Sequence, residues 1–128
     1  MALKLKNLDL SCGIRLTDVY FRIRFVSYDS LNGTIHYNGN FFISEEARRM
    51  GEDFEIAGVF LDDNFKCDTK DGNLFELAYN NIKAKTEELR SKSLNEIKDI
   101  NQELFKEYHT DSELINPLYY YFRDAEDC

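Results

Sequence analysis

Histidine and cysteine are the residues of this chain that could serve as a base, a nucleophile or a metal ligand. The histidines are His36 and His109, and the cysteines are Cys12, Cys67 and Cys128. A zinc site needs about four Cys or His ligands in closely spaced pairs, and these residues form no such pair. No nucleophile motif surrounds Ser11 or any of the cysteines. We therefore predict no catalytic residue, no metal site and no enzyme activity.

The cysteines also indicate a redox state. Their number is odd, and none of them lies in a CxxC spacing. Disulfides are rare in reducing compartments, so we predict that Cys12, Cys67 and Cys128 are all free thiols. One disulfide with one remaining thiol is the alternative.

Residues 62–72 form an acidic stretch that ends in Asp71-Gly72 and invites comparison with a calcium loop. The EF-hand loop needs a ligand at its first position, glycine at the sixth and glutamate at the twelfth. With Gly72 at the sixth position, Cys67 stands at the first and Ala78 at the twelfth, so the pattern fails. We predict a solvated polar loop.

Glycine and charge exclude further classes of ligand. The chain has 6 glycines and no GxGxxG or GxxxxGK[ST] run, so we predict no nucleotide and no other cofactor. It carries 16 Lys and Arg against 24 Asp and Glu, a formal net charge of -8. Such a field repels phosphates and anionic lipids, and no apolar run is long enough to span a bilayer. We predict no nucleic-acid partner and no membrane partner.

The most unusual stretch of the sequence is four consecutive aromatic residues, Tyr119, Tyr120, Tyr121 and Phe122. In a strand, successive side chains point to opposite faces, so the four rings cannot all enter one core. Aromatic residues are enriched where proteins meet, and we predict an interface at residues 119–122. A final strand that covers the core with one face and meets solvent with the other remains the alternative.

Several segments show the patterns of strands and turns. In residues 16–28, Val19, Phe21, Ile23 and Phe25 alternate with polar or amphipathic residues, which predicts a half-buried strand. Asn32-Gly33 predicts a type I′ hairpin turn into a second strand, 34–43. Asn38-Gly39 interrupts that strand, and there we favour a bulge over a second tight turn. Residues 54–61 predict another strand.

Helical patterns follow the strand patterns. We predict a short helix that begins after Ser44, its N-cap, and ends at Gly51, which can adopt the left-handed conformation. Residues 73–109 contain neither Pro nor Gly, so we predict a long helix that Asn73 caps and that breaks in two if Ser91-Lys92-Ser93 interrupts it. The apolar residues of its second half recur at helical spacing, and we predict burial against the sheet or a second chain for Ile97, Ile100 and Leu104.

A chain of 128 residues has the size of one domain. Its β part precedes its α part near Gly72, and neither part has an obvious core of its own. The predicted fold class is α+β: an antiparallel β-meander or small sandwich with one long amphipathic helix, continuous or broken.

Four segments in order resemble small phage structural proteins that are encoded among tail genes. The opening Gly13 with Thr17-Asp18-Val19-Tyr20 resembles their glycine, extended segment and Ala-Tyr-x-x-Val strand. The strand end and turn at 43–48 and the helix at 73–82 are similar to theirs. The acidic C-terminus with its final cysteine, 124–128, also resembles theirs.

The resemblance implies a non-catalytic virion component, of a phage tail or tail tip, that is made in the host cytoplasm and works by assembly. Its implied partners are other virion proteins or copies of itself. The chain departs from this family at two places. Val19 precedes Tyr20 where the family has alanine. We interpret the stretch 83–116 as a helical insertion into a single domain, 1–128. The alternative function is a cytoplasmic protein-binding module that uses the long helix.

Overall fold

One antiparallel sheet organises the computed structural model, which describes residues 2–51, 54–67, 73–108 and 114–127. Its strands are β1 (Leu3–Asp9), β2 (Arg15–Asp29), β3 (Thr34–Phe42), β4 (Phe60–Lys66) and β5 (Glu126–Asp127). They lie in the order β4-β3-β2-β1-β5, so the first four form a meander and β5 returns beside β1. The predicted α+β class with a meander is confirmed. The sandwich alternative is wrong for the described residues, which form a single sheet.

Three α-helices and one 3₁₀ helix complete the described chain. They are α1 (Glu45–Met50), α2 (Leu74–Glu88), α3 (Leu94–Tyr108) and the 3₁₀ helix Pro117–Phe122. Within the described residues, no helix combines the length and the apolar character that a membrane span requires.

The two faces of the sheet differ in what covers them. We call the face that packs against α2 and the 3₁₀ helix the helical face, and the opposite one, part of which α1 covers, the open face. On the helical face, Val19, Phe21 and Ile23 of β2 are buried as the alternation predicts. Ala78 and Ile82 of α2 belong to the same apolar cluster. The hydrophobic core therefore lies between the sheet and this helical layer.

A bulge in β2 changes the side on which its later residues lie. Ile23 is opposite Gly39 and Phe25 is opposite Asn38, so Arg24 is an extra residue in the register. The predicted bulge exists at this level of the sheet, but in β2 rather than in β3. Because the bulge shifts the alternation by one residue, Phe25 lies on the open face and is 48% exposed. The predicted inward position of Phe25 is wrong.

The β2–β3 turn also differs from its prediction. Asp29 pairs with Thr34, which leaves a four-residue connection. Gly33 has a φ of 63°, whereas Asn32 does not have the positive φ that a type I′ turn requires. The Asp29 carboxylate instead accepts hydrogen bonds from the amides of Leu31 and Asn32. The predicted hairpin is confirmed, and the predicted turn type is wrong.

Strand β4 lies further along the chain than predicted. The sequence pattern predicts a strand at 54–61 and a loop at 62–72, but the strand begins at Phe60 and continues to Lys66. An edge strand tolerates charged residues, and here Asp62 faces solvent while Asp63 has a hydrogen-bond partner on the helical face. Strand β1, which the sequence analysis missed, pairs with β2 from Leu3 to Asp9.

The predicted N-caps of α1 and α2 are confirmed, whereas Gly51 after α1 has a φ of 108° and a ψ of -169° instead of the predicted left-handed conformation. Ser44 accepts a hydrogen bond from the Ala47 amide at the start of α1, and Asn73 accepts from the Phe75 and Glu76 amides at the start of α2. The predicted long helix is broken between Glu88 and Leu94, which confirms the broken form.

Burial along α3 within this chain bears out the prediction for Ile97 alone, and burial against a second chain stays a prediction. Ile97 is fully buried, as predicted, whereas Ile100 and Leu104 are only half-buried within this chain.

Some predictions concern residues outside the described ones, namely His109, Asp68, Asp71 and Cys128. No disulfide joins Cys12 to Cys67. The predicted insertion 83–116 begins inside α2, and both the insertion and the single-domain assignment stay predictions.

Candidate functional site

The four predicted interface residues lie in a 3₁₀ helix and not in a strand. Asn116 caps this helix by accepting a hydrogen bond from the Leu118 amide, and Pro117 occupies its first turn. A 3₁₀ helix has three residues per turn, so residues at i and i+3 share a face. Tyr119 and Phe122 are therefore buried together, at 2% and 4% exposure. Tyr120 and Tyr121 are half-buried on the outer side.

The burial of Tyr119 and Phe122 corrects the interface prediction. Phe122 packs edge-on against Phe21, with ring centroids 5.0 Å apart, and it also contacts Phe41. These rings belong to the core of the chain itself and present no surface to a partner. Only Tyr120 and Tyr121 of the predicted four remain available for an interface.

Tyr119 joins the 3₁₀ helix to the sheet and to α2 through its hydroxyl. This hydroxyl donates to the Asp63 carboxylate and lies 2.6 Å from the Tyr37 hydroxyl. Tyr37 in turn donates to the Asn81 side-chain oxygen at 3.0 Å. The network fixes the 3₁₀ helix against β3, β4 and α2, and so it positions the outer pair of tyrosines.

Burial raises the pKa of both phenols in this network. For Tyr37, burial is the main cause, and for Tyr119 burial acts together with the neighbouring Tyr37 and Asp63. Both side chains stay protonated at neutral pH and act as hydrogen-bond donors. A phenol that resists ionisation is a poor base at neutral pH and acts there as a hydrogen-bond donor.

The raised pKa values predict a loss of stability in alkali. Phenols in the unfolded chain ionise near pH 10, whereas Tyr37 and Tyr119 resist ionisation in the fold. Their stabilisation is fully present below about pH 10 and is lost above it, by about 1.4 kcal/mol per pH unit for each phenol. Urea unfolding across this range should show a falling free energy of unfolding, with a shallower slope for Tyr119→Phe. A slope that Tyr119→Phe leaves unchanged would contradict the assignment.

Tyr120 and Tyr121 line a surface cleft of about 300 Å³, which we call the tyrosine cleft. The two rings meet edge to face, with centroids 5.3 Å apart. The cleft lies between the β1–β2 hairpin, the 3₁₀ helix and the start of α3. Its other lining residues are Lys6, Asn7, Asp9, Arg15, Leu94, Arg123 and Asp124.

Polar contacts hold both tyrosines in place. Arg15 donates to both oxygens of the Asp9 carboxylate, at 2.7 and 3.2 Å, and Tyr121 donates to the same carboxylate at 3.4 Å. The Arg15 hydrogen bonds are the main reason why the pKa of Asp9 is lowered. The Arg123 guanidinium lies 4.7 Å from the centre of the Tyr120 ring and also donates to the Arg90 carbonyl.

The tyrosine cleft carries charges of both signs beside its two aromatic rings. Three cations, Lys6, Arg15 and Arg123, accompany two carboxylates there, although the whole chain is strongly acidic. His36 lies elsewhere, since it contacts Asp62 on the open face and meets Phe25 edge to face. Cys12 is exposed in the β1–β2 turn. The structure thus brings neither His36 nor Cys12 to the cleft.

The sequence analysis missed Asp9, Arg15 and Arg123 as cleft residues. Asp9 and Arg15 are directly opposite each other in the β1–β2 ladder, on either side of the turn at Gly13. The signal that would have found them is β1 itself, because recognition of that strand makes the two residues cross-strand neighbours.

Comparison of the chain with protein-family models, with curated proteins and with solved structures finds no match.

Proposed function

We propose that this chain is a non-catalytic structural component of a virion, of a phage tail or tail tip, and that it acts through protein–protein assembly. The resemblance of its sequence to small tail-region proteins supports the place in a virion. The tyrosine cleft supports the mode of action, and the half-exposed Tyr120 and Tyr121 beside two arginines are the observation that carries it.

Tyrosine and arginine are over-represented among the residues that contribute most to protein interfaces. A tyrosine ring buries a large apolar area, while its hydroxyl keeps a hydrogen bond. Here Tyr121 keeps its bond to Asp9, and the cation over Tyr120 orients that ring before any partner arrives. Preorganised side chains lose less conformational entropy on binding. The local excess of cations favours a neutral or acidic partner surface.

The test of this function is incorporation of the chain into particles. Tyr120→Ser combined with Tyr121→Ser is expected to lower the amount of the chain in purified virions at least about tenfold, because the variant loses both central rings of the contact. Quantitative mass spectrometry of particles measures this amount. The variant should keep the circular dichroism spectrum of the parent, since neither ring belongs to the buried core.

A matched control is Phe75→Ser, which removes a 43% exposed ring from α2, away from the cleft. Particles should contain this control at the parental level. If the parent chain is absent from purified virions, or if the tyrosine variant enters them as the parent does, the proposal is wrong.

A second candidate function is a cytoplasmic protein-binding module that uses α3. The observation in its favour is that Phe105 is 49% exposed and that Ile100 and Leu104 are only half-buried. An amphipathic helix with a partly uncovered apolar side is a common contact for a partner helix. Purified particles that lack the chain, together with a stoichiometric complex that Phe105→Ser disrupts, would favour this second candidate.

A further inference from the structure

Strand β2 is much longer than the strand that pairs with it on one side. It has 15 residues, whereas β1 has 7, and the ladder between them ends where Leu3 is opposite Phe21. Beyond Phe21, β2 continues to pair with β3 as far as Asp29, but no described strand pairs with it on the side of β1. The second half of β2 is therefore an edge of the described sheet, although the strand lies in the middle of the strand order.

A contact with α2 covers only the beginning of this edge. The Ile23 amide donates a hydrogen bond to the Tyr79 hydroxyl, at 2.9 Å. Further along, at residues 25–28, no described residue outside β3 forms a hydrogen bond with the backbone of β2. We call residues 25–28 the free edge. An edge strand directs a row of N–H and C=O groups away from its sheet, so the free edge is a template for one more strand.

The side chains of the free edge differ from those of the other edges of the described sheet. The outer strand β4 carries Asp62, Asp63 and Lys66, and β1 carries Lys6 and Asp9 beyond its pairing with β5. Charged residues of this kind keep an edge strand from pairing with another chain. The free edge has no charged residue, and each of its side chains is half-buried or exposed. It is therefore the edge that is least protected against pairing.

The absence of charge on the free edge favours a second copy of the chain as the occupant. The chain has a formal net charge of -8, so two copies repel each other over most of their surfaces. Two free edges can approach without bringing like charges opposite each other. The edges of β4 and β1 would instead bring aspartate or lysine side chains into the contact.

Antiparallel pairing of the free edge with itself also matches the side chains. Val26 is opposite Tyr37 and Tyr28 is opposite Ile35 in the β2–β3 ladder, so Val26 and Tyr28 both lie on the helical face. A two-fold axis through Ser27, perpendicular to the sheet, places Val26 of each copy opposite Tyr28 of the other. Cross-strand pairs of a β-branched and an aromatic residue stabilise a sheet, and the symmetry forms this pair twice.

We propose that the free edges of two copies pair antiparallel around a two-fold axis at Ser27. The sheets of both copies then form one continuous sheet. A two-fold contact uses the same surface on both copies and leaves none unused, so the assembly stops at a dimer. The free edge is separate from the tyrosine cleft, and this inference goes beyond the function proposed above and does not depend on a place in a virion.

A charge at the centre of the free edge tests this pairing. Ser27→Lys and Ser27→Glu each place two like charges opposite each other at the axis, so each should raise the dissociation constant of the dimer at least about tenfold. Sedimentation equilibrium measures this constant. The mass of the parent should approach that of a dimer and not exceed it. Added salt should strengthen the parent dimer, because ions screen the repulsion between two acidic chains.

Mixing the two charged variants gives the decisive result. Lysine then lies opposite glutamate at the axis, so the mixture should form a 1:1 dimer, which also shows that both variants are folded. The matched control is Asn64→Lys. Asn64 is opposite His36 just as Ser27 is, but it is exposed on β4, so the same charge beside the same histidine should leave the dimer as in the parent.

The proposal is overturned by a parent chain that stays monomeric up to millimolar concentration, which would leave the free edge to a strand of another protein. It is equally overturned if both charged variants dimerise as the parent does, or if their mixture stays monomeric. The Tyr120→Ser/Tyr121→Ser variant should keep the dimer. Failure of the dimer therefore leaves the tyrosine cleft and its test in virions untouched.

Discussion

Ile97→Asp is expected to lower the free energy of unfolding by about 3–5 kcal/mol, because it removes a large buried apolar side chain and adds a buried charge. Ile97 is fully buried in the core cluster and is the residue through which α3 joins the core. Typical domains have only about 5–15 kcal/mol of stability, so the variant is near the limit of folding. Urea unfolding at neutral pH measures the loss, and Ile97→Ala, without the charge, keeps the comparison quantitative.

The matched control for Ile97 is Ile100→Asp on the same helix. From the sequence, both residues are expected to be buried, but Ile100 is only half-buried within the chain. A carboxylate there keeps part of its hydration, so the loss should be smaller than at Ile97. Equal losses at the two positions would mean that α3 does not pack as described.

Gly39→Ala is expected to lower the free energy of unfolding by about 2–3 kcal/mol, at the upper end of overpacking effects. A Cβ atom at this position would lie 2.4 Å from the Phe21 Cζ atom and 2.8 Å from the Arg22 carbonyl oxygen. Phe21 is fully buried between Phe41 and Phe122, so its ring has little room to move. Thermal or urea unfolding of the variant tests this expectation.

A double-mutant cycle identifies the cause of the Gly39 effect. Phe21→Leu removes the ring atoms nearest to the new methyl group, so Gly39→Ala should cost less in the Phe21→Leu background than in the parent. Part of the penalty should remain, because the Arg22 carbonyl also lies too close. Strictly additive losses would show that the ring is not what excludes a side chain at residue 39.

The predictions for Ile97 and Gly39 also concern the tyrosine cleft, because the same hydrophobic core positions its residues. Phe21 packs against Phe122, and the Tyr119 hydroxyl is bound to Asp63 and lies beside the Tyr37 hydroxyl. These contacts hold the inner side of the 3₁₀ helix, and the outer tyrosines follow from it. Loss of the core should therefore remove the tyrosine cleft as well, whereas Tyr120→Ser and Tyr121→Ser remove the contact alone.

Local patterns in the sequence were enough to predict a good part of the fold. The alternation in β2 up to Ile23, the caps at Ser44 and Asn73 and the break before α3 are properties of neighbouring residues, and the structure contains them. The four aromatic residues at 119–122 were also recognised from their composition alone. Such features are predictable because the interactions that produce them act within a few residues of the chain.

Contacts between distant segments decided the features of the fold that local patterns did not predict. Strand β1 has a mixed pattern and is a strand because it pairs with β2, and β4 accepts two aspartates because it lies at the edge of the sheet. The level of the bulge was recognisable from Asn38-Gly39. The strand that carries the extra residue was not recognisable from the sequence, because it is the pairing of β2 with β3 that leaves Arg24 without a partner in the register.

The same reason explains the outcome at the candidate site. A strand would have placed Tyr119 with Tyr121 and Tyr120 with Phe122, whereas the 3₁₀ helix places Tyr119 with Phe122. The composition identifies four aromatic rings that we expect to be buried, either in the core or at an interface. The number of residues per turn of the backbone decides which of these rings share a face. Asn116 and Pro117 start this helix locally, but contacts with Phe21, Tyr37 and Asp63, which lie far away in the sequence, decide which side of it is buried. The tertiary structure therefore separates the two core rings from the two that line the tyrosine cleft.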